Sequence, residues 1–403
     1  MGDSKKQGNP EDTPPHPTWI DIELIQQALN NDGGNNLKVS EISVGYATAP
    51  GDNYGSTIYR VKAKLTNGDE RSFIVKEPAP GADMTLLTKI FRREAAMLSE
   101  VLPQMQSLLE EAAPGRFPPL APRCFHHGSS PVEFIVLEDL APAGYKMADR
   151  TRGLGLRHSL AALRTLARFH AASHALLRRR PELAKRFDNN WREIYGNAHA
   201  AFEGAIQAAV DACRLWPSFE ECSRRLQKFK AVAMDTFATL NDPKPGAFNV
   251  ITHGDFWVNN MLYRYEHNIP MGHRAVDLQL SHVSSPAIDL LYFLSGSLCE
   301  DVHEHYQDLL LREYHFELTE TMKILGLQAP TLESLLASVE DHGSYALYII
   351  LLVVPIIKVE KATEVGALVS GDFSDWRPFE QPRFKRWLQR VLPDCVRRGW
   401  LPA

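Results

Sequence analysis

The alternation between residues 56 and 76 constrains this chain most. "STIYRVKAKL" alternates polar and apolar residues at the period of a strand, "TNGDE" centres a tight turn on Asn67-Gly68, and "RSFIVK" returns. Residues 39–76 therefore read as β-structure. "EFIVLEDL", Glu133 to Leu140, adds a buried strand that ends in acids. Between them "LLTKIFRREAAMLSEVLPQM" is helical, with Leu87, Ile90, Phe91 and Ala95 along one face. Upstream, "WIDIELIQQALN" has apolar residues at helical spacing and "NDGGNN" ends it. Residues 1–17 are polar and Pro-rich and read as a disordered tail.

From about residue 150 the period changes to that of long helices. "LRHSLAALRTLARFHAASHALL" carries Leu160, Leu163, Ala167 and Ala171 at spacings of three and four. Helical segments run to about 240 and resume from about 285, interrupted by a polar insert at 251–281. The order predicts an α+β chain of two lobes: a small β-rich N-lobe over 18–140 and a larger, mainly helical C-lobe over 141–403. A cleft between two such lobes is a common place for a ligand.

Bulk properties exclude some classes. Net charge is -5, against nucleic acid as the main partner, because phosphate binding needs a basic face. The five cysteines, Cys124, Cys213, Cys222, Cys299 and Cys395, are scattered without metal-ligand spacing and read as buried free thiols in a reducing compartment. The N-terminal stretch lacks the apolar core of a secretory signal. The most apolar run, "YALYIILLVVPII", is too short to span a bilayer and reads as a buried helix stopped near Pro355. No membrane insertion and a cytoplasmic location are expected; the oligomeric state is not readable.

The insert carries the chemistry. "ITHGDFWVNNMLYRY" sets His253, Asp255, Asn259 and Asn260 among bulky apolar residues. "MLYRY" can pair with "HRAVDLQL" through the turn "EHNIPMG", which would return Asp277 close to Asn260. Asp and Asn oxygens are hard ligands suited to Mg²⁺. Asp255 precedes Asn260 by five positions, the spacing between catalytic Asp and metal-binding Asn in the kinase catalytic loop. With Asp277, the insert offers a candidate base and two metal ligands, the minimum for phosphoryl transfer. The competing reading is a plain turn with Asp255 as its cap.

Phosphoryl transfer also needs a cation on the nucleotide phosphates. Lys76, at the end of "FIVK", is placed for that, and Glu94 on the following helix is its candidate partner. A solvated lysine and a surface glutamate are the alternatives. In "GDNYGSTIYRV", Asn53, Gly55 and Ser56 are candidates to bring backbone N–H groups to phosphate. After the last N-lobe strand, the backbone of Glu138, Asp139 and Leu140 is a candidate adenine contact or an ordinary linker.

In this order the pieces resemble the insect ecdysteroid kinase-like family, related to choline kinase and aminoglycoside phosphotransferases on a protein-kinase-like fold. The resemblance covers roughly 40–360 and rests on "GDNYGSTIYRVKAKL", "FIVKEP", "FRREAAML", "FIVLEDL", "LARFHAASHAL", "HGDFWVNNMLY" and "VDLQLSHVSSPAIDLLYFL". It implies ATP and Mg²⁺ as cofactors, with Asp255 as catalytic base and Asn260 and Asp277 as metal ligands. Lys76 would contact the ATP phosphates, braced by Glu94. His253 would hydrogen-bond within the loop, and Asp289 would brace it. The chain departs from the family's Asp-Phe-Gln in having Asp277-Leu278-Gln279, a packing change beside a retained ligand.

The leading expectation is a kinase acting on a hydroxyl of a small lipophilic molecule: an ecdysteroid, another steroid or a xenobiotic alcohol. The alternative is a nucleotide-binding regulatory protein of the same fold that lost catalysis. A protein kinase fits less well, because Asp-Phe-Gly and Ala-Pro-Glu are missing and little room separates Asp277 from Asp289. Candidate acceptor contacts lie in "WREIYGNAHAAFEGAI" and "HGSYALYII", including Asp341, His342 and Tyr345, with core or surface roles as the alternative.

Overall fold

The computed structural model describes residues 17–34, 36–48, 55–79, 84–188, 199–355, 379 and 381–403. The tail at 1–16, Asn53 and acceptor candidates 191–198 lie outside the described residues. The chain divides into two compact units, one gathering the described residues of 1–82 and 123–139, the other those of 83–122 and 140–403.

In the first unit the helix Ile22–Asn31 begins at Asp21, whose carboxylate accepts the Leu24 N–H at 2.9 Å and satisfies one of the helix's open donors. The sheet has five strands in the order β1 (Val39–Tyr46), β2 (Ser56–Leu65), β3 (Glu70–Pro78), β5 (Phe134–Glu138) and β4 (Cys124–Gly128), all antiparallel neighbours. The expected hairpin is β2–β3: Gly68 takes the left-handed φ of 90° that its turn requires, and Asn67 Oδ1 accepts the Asp69 N–H. Alternation sends Tyr59, Val61, Ala63, Leu65, Phe73 and Val75 into a core shared with Ile25, Ala28 and Leu29 of the helix. Burying side chains of this size contributes about 1.5–3 kcal/mol each, which is what holds helix to sheet. The opposite face carries Ile58 and Ile135, both paired in register with Lys76.

The second unit is mainly helical. The segment expected to be one helix is Met84–Ala96 and Leu102–Ala112 joined by a π-turn, Met97–Val101. Pro103 explains the break, since it has no N–H and its ring crowds the carbonyl four residues back. A second π-turn, Ile349–Val353, precedes Pro355, and the apolar run stays helical through that proline. The run is helical and buried as expected, and whether it stops near Pro355 lies outside the described residues. The helix Leu156–Arg179 runs through the middle of the core, with Leu163, Ala167 and Ala171 fully buried and Leu160 partly so.

The insert at 251–281 forms a hairpin, β8 (Met261–Glu266) and β9 (Ile269–Ala275), in the register Met261↔Ala275. Its turn is shorter than "EHNIPMG": His267 and Asn268 alone make it, both at positive φ (49° and 63°). This is the two-residue geometry that matches strand twist. Pro270 then falls within β9, tolerated because β9 is an edge strand. The short strand β6 (Tyr145–Met147), unforeseen from the sequence, pairs with the other side of β8. Two further short strands, β7 (Val250–Ile251) and β10 (Val283–Ser284), pair across the base of the insert. The helix Ala287–Gly296 follows, buried from Ala287 through Ser295. Among the described residues no helix is long and apolar enough to cross a membrane. All five cysteines are free; Cys213, Cys222 and Cys395 are buried, whereas Cys124 and Cys299 are only half-buried.

Candidate active site

The loop after β7 is shaped by one glycine. Gly254 has φ +81°, and a Cβ there would stand 2.2 Å from the Leu280 carbonyl oxygen, so only glycine lets the two segments close on each other. The helix Ala287–Gly296 then anchors the loop from below. Asp289 accepts the His253 N–H at 2.7 Å through Oδ2 and the Gly254 N–H at 2.9 Å through Oδ1. His170 Nε2 lies 3.0 Å from Asp289 Oδ2, and its Nδ1 lies 2.7 Å from the Tyr314 hydroxyl. Burial by itself would raise the Asp289 pKa. The His170 hydrogen bond and charge, helped by the His253 N–H, outweigh it, and the net shift is downward. Asp289 thus ties three helices' worth of side chains to the loop backbone and is spent as a brace.

His253 joins the loop to the strand that returns. Its Nε2 lies 3.0 Å from the Val276 carbonyl oxygen, and its Nδ1 accepts the Asp255 N–H at 3.3 Å. That pattern requires the neutral ring protonated at Nε2, in keeping with a pKa lowered chiefly by burial. Hydrogen bonding within the loop is the part the sequence assigned to it.

The structure brings Asp255, Asn260 and Asp277 together. Asn260 Nδ2 donates to the Asp255 carbonyl at 2.9 Å and to its Oδ2 at 2.8 Å. The Val276 N–H donates to the Asn260 carbonyl at 3.0 Å, which draws Asp277 to the same place. Asp277 holds φ 65°, a left-handed conformation costly for a residue with a side chain, and Gln279 Nε2 lies 3.4 Å from its Oδ2. Burial first, and the Asp277 charge second, push the Asp255 carboxyl up to about 6, against the pull of hydrogen bonds from Tyr292, Asn260 and Trp257. With its amide nitrogen committed to Asp255, Asn260 keeps Oδ1 for another partner. That oxygen and the Asp277 carboxylate are hard donors of the kind Mg²⁺ takes. Among the described residues no group of three or more His, Cys, Asp and Glu could cage a metal. A cation here would complete its shell with water or substrate oxygens, as Mg²⁺ does. Leu278, in place of the aromatic residue, is buried at 1% exposure.

The remaining candidates are distributed as follows. Lys76 is buried on β3 in the first unit, and Glu94 is buried on Met84–Ala96 in the second. Neither is the solvated surface residue of the alternative reading. Ser56 is buried at the start of β2, and Gly55, just before it, accepts the Ala79 N–H. The Glu138 N–H is committed to the Arg123 carbonyl, and the Leu140 carbonyl accepts the Ala143 and Tyr145 N–H groups. The Asp139 side chain meets Arg60 Nε at 2.8 Å and the Ser72 hydroxyl at 2.6 Å, which ties β2 and β3 to the end of β5.

Sequence reasoning missed Tyr292, whose hydroxyl donates to Asp255 Oδ1 at 2.5 Å. The signal was there: in "PAIDLLYFL" Tyr292 stands three residues after Asp289, and helical residues so spaced share a face. His170 lies within "LARFHAASHAL", where nothing local marks it as a brace, and Tyr314, a distant helix away, left no local sign either.

No curated protein sequence matches this chain significantly. Among solved structures it is similar to a macrolide 2′-phosphotransferase from Brachybacterium faecium in its apoenzyme form. The two are 13% identical, the match covers 85% of this chain and 96% of that one, and the TM-score is 0.35. The model of the ecdysteroid kinase-like family matches residues 50–327, most of the chain and all of the loop, hairpin and bracing helix described above, and the protein belongs to that family of small-molecule kinase-like proteins.

Proposed function

We propose that this protein is an ATP- and Mg²⁺-dependent kinase. It would transfer the γ-phosphoryl group to a hydroxyl of a small lipophilic acceptor, of the ecdysteroid, other steroid or xenobiotic-alcohol class, in the cytoplasm. The observation that carries the reading is Asp255: a half-buried carboxylate held by donors on both oxygens, beside a second acid and a free Asn260 Oδ1. Asp255 is the base that takes the acceptor proton late in an in-line transfer. Asn260 and Asp277 hold Mg²⁺, which supplies charge neutralisation on the phosphates when bound. Lys76, Glu94, Gly55, Ser56 and the backbone at 138–140 serve the nucleotide in this reading, with 18–140 as the ATP-binding lobe and 141–403 as the catalytic and acceptor-binding lobe.

The test is a phosphoryl-transfer screen on the full chain with Mg²⁺-ATP over ecdysteroids, other steroids, phenols, glycosides and choline. Phosphorylation of a lipophilic alcohol, abolished by chelating Mg²⁺, is the expected result. Nucleotide binding with no turnover of any acceptor would replace the enzyme by a non-catalytic binding protein.

A further inference from the structure

The grip of Tyr292 on Asp255 has no place in the mechanism above. A carboxylate turns readily about its last side-chain bond, whose torsion is broad and two-fold. Asn260, donating to Oδ2 at 2.8 Å, with a lesser hydrogen bond from Trp257, leaves that rotation loosely determined. The Tyr292 hydroxyl, at 2.5 Å from Oδ1, supplies a second point. It comes from the same buried helix whose Asp289 clamps the N–H groups of His253 and Gly254. One rigid element therefore fixes both the loop backbone and the reacting side chain, which holds a site more closely than loop residues can. Tyr292 is itself immobilised: it is 6% exposed, and Tyr345 and Tyr348, packed on each other at 5.9 Å, are near enough to act on it.

We propose that Tyr292 is a positioning residue: its hydroxyl sets the rotation of the Asp255 carboxylate so that Oδ1 offers its remaining lone pair to the acceptor hydroxyl. Each carboxylate oxygen accepts two hydrogen bonds, so the tyrosine and the acceptor share Oδ1 without displacing one another. The proposal rests on the kinase reading. The rival role is a placeholder, a hydroxyl that fills the acceptor's position until the acceptor removes it.

Tyr292→Phe separates the two. Crystal structures of the wild type and the variant, each with Mg²⁺ and a non-hydrolysable ATP analogue, should show the Asp255 carboxylate rotated away from Asn260 in the variant alone. With an acceptor that the wild type phosphorylates, kcat should fall about 100-fold, the scale of a small misplacement of a reacting group. KM for ATP and for acceptor should stay within about twofold, the signature of an interaction that matters in the transition state. 3-Fluorotyrosine at position 292, which keeps the donor, should restore the rate. An unmoved carboxylate, an unchanged kcat, or a lower acceptor KM at full kcat overturns the proposal. Should the variant not fold, the wild-type complex decides: the Tyr292 hydrogen bond persists with nucleotide bound, or Tyr292 has turned away and the proposal is wrong. If the wild type phosphorylates nothing in the panel, it is the kinase reading that fails, and the orientation of the carboxylate in the two structures still settles the grip.

Discussion

The sheet of the first unit and the loop layer at 251–296 of the second both bury acids, and they do so in opposite ways. In the sheet a single acid, Asp139, meets a cation whose side chain is 35% exposed and can still reach water. The loop layer buries Asp289 and three histidines, His253, His273 and His282, and leaves Asp255 half-buried beside them. There the partners are backbone N–H groups, an imidazole ring and a hydroxyl rather than an arginine. The difference teaches what each region is for. An acid with an exposed counter-ion ends a strand and stabilises modestly. Acids gathered on one loop and its returning strand bring carboxylate oxygens to one place, which suits a divalent ion carrying phosphate.

Substitutions can break this contrast, and the largest expected effect is on turnover. Asp255→Asn should lower phosphoryl transfer by about 10²- to 10⁴-fold, the range for a general base, with the unfolding midpoint little changed because the repulsion from Asp277 is relieved. Full phosphorylation by that variant would remove Asp255 from the chemistry. Next is Asp289→Ala, which strands two backbone donors and His170 in a fully buried site. It should cost about 3–5 kcal/mol in urea unfolding. Asp139→Ala should cost only about 1–2 kcal/mol, since Arg60 can rehydrate. If Asp139→Ala proved the more destabilising of the two, the two regions would not differ as described.

The smallest effect is one of pH. Burial holds the His282 pKa down to about 4, from an ordinary 6.5, while its ring meets Thr252 and Asn241. As pH falls below 6.5 the unfolded chain takes up a proton that the native ring refuses, so stability declines from 6.5 towards 4. His282→Gln should flatten that decline by about 1 kcal/mol between pH 7 and 5.5, read as the difference in unfolding free energy at the two values. An unchanged pH dependence would mean that the ring is protonated in the native protein.

Much of this was legible because it is local. The β2–β3 hairpin follows from alternation and Asn67-Gly68, and the pairing of Asp255 with Asn260 follows from a spacing of five in a loop that Gly254 keeps tight. Other features failed for want of locality or because two local rules competed. β6 is three residues whose only reason to be a strand is the open side of β8. The π-turns precede Pro103 and Pro355, and helical periodicity alone does not show a widened turn inside a helix.

By itself the sequence determined the strand and helix periods, the glycine of the Asn67-Gly68 turn, and which residue types stand ready for phosphoryl chemistry, because each depends on neighbours a few residues apart. The tertiary structure alone decided what those residues touch. Tyr292 reaches Asp255 across 37 positions, and His170 reaches Asp289 across 119. Such contacts are set by how buried helices pack, and a buried acid takes its role from the donors that packing delivers to it.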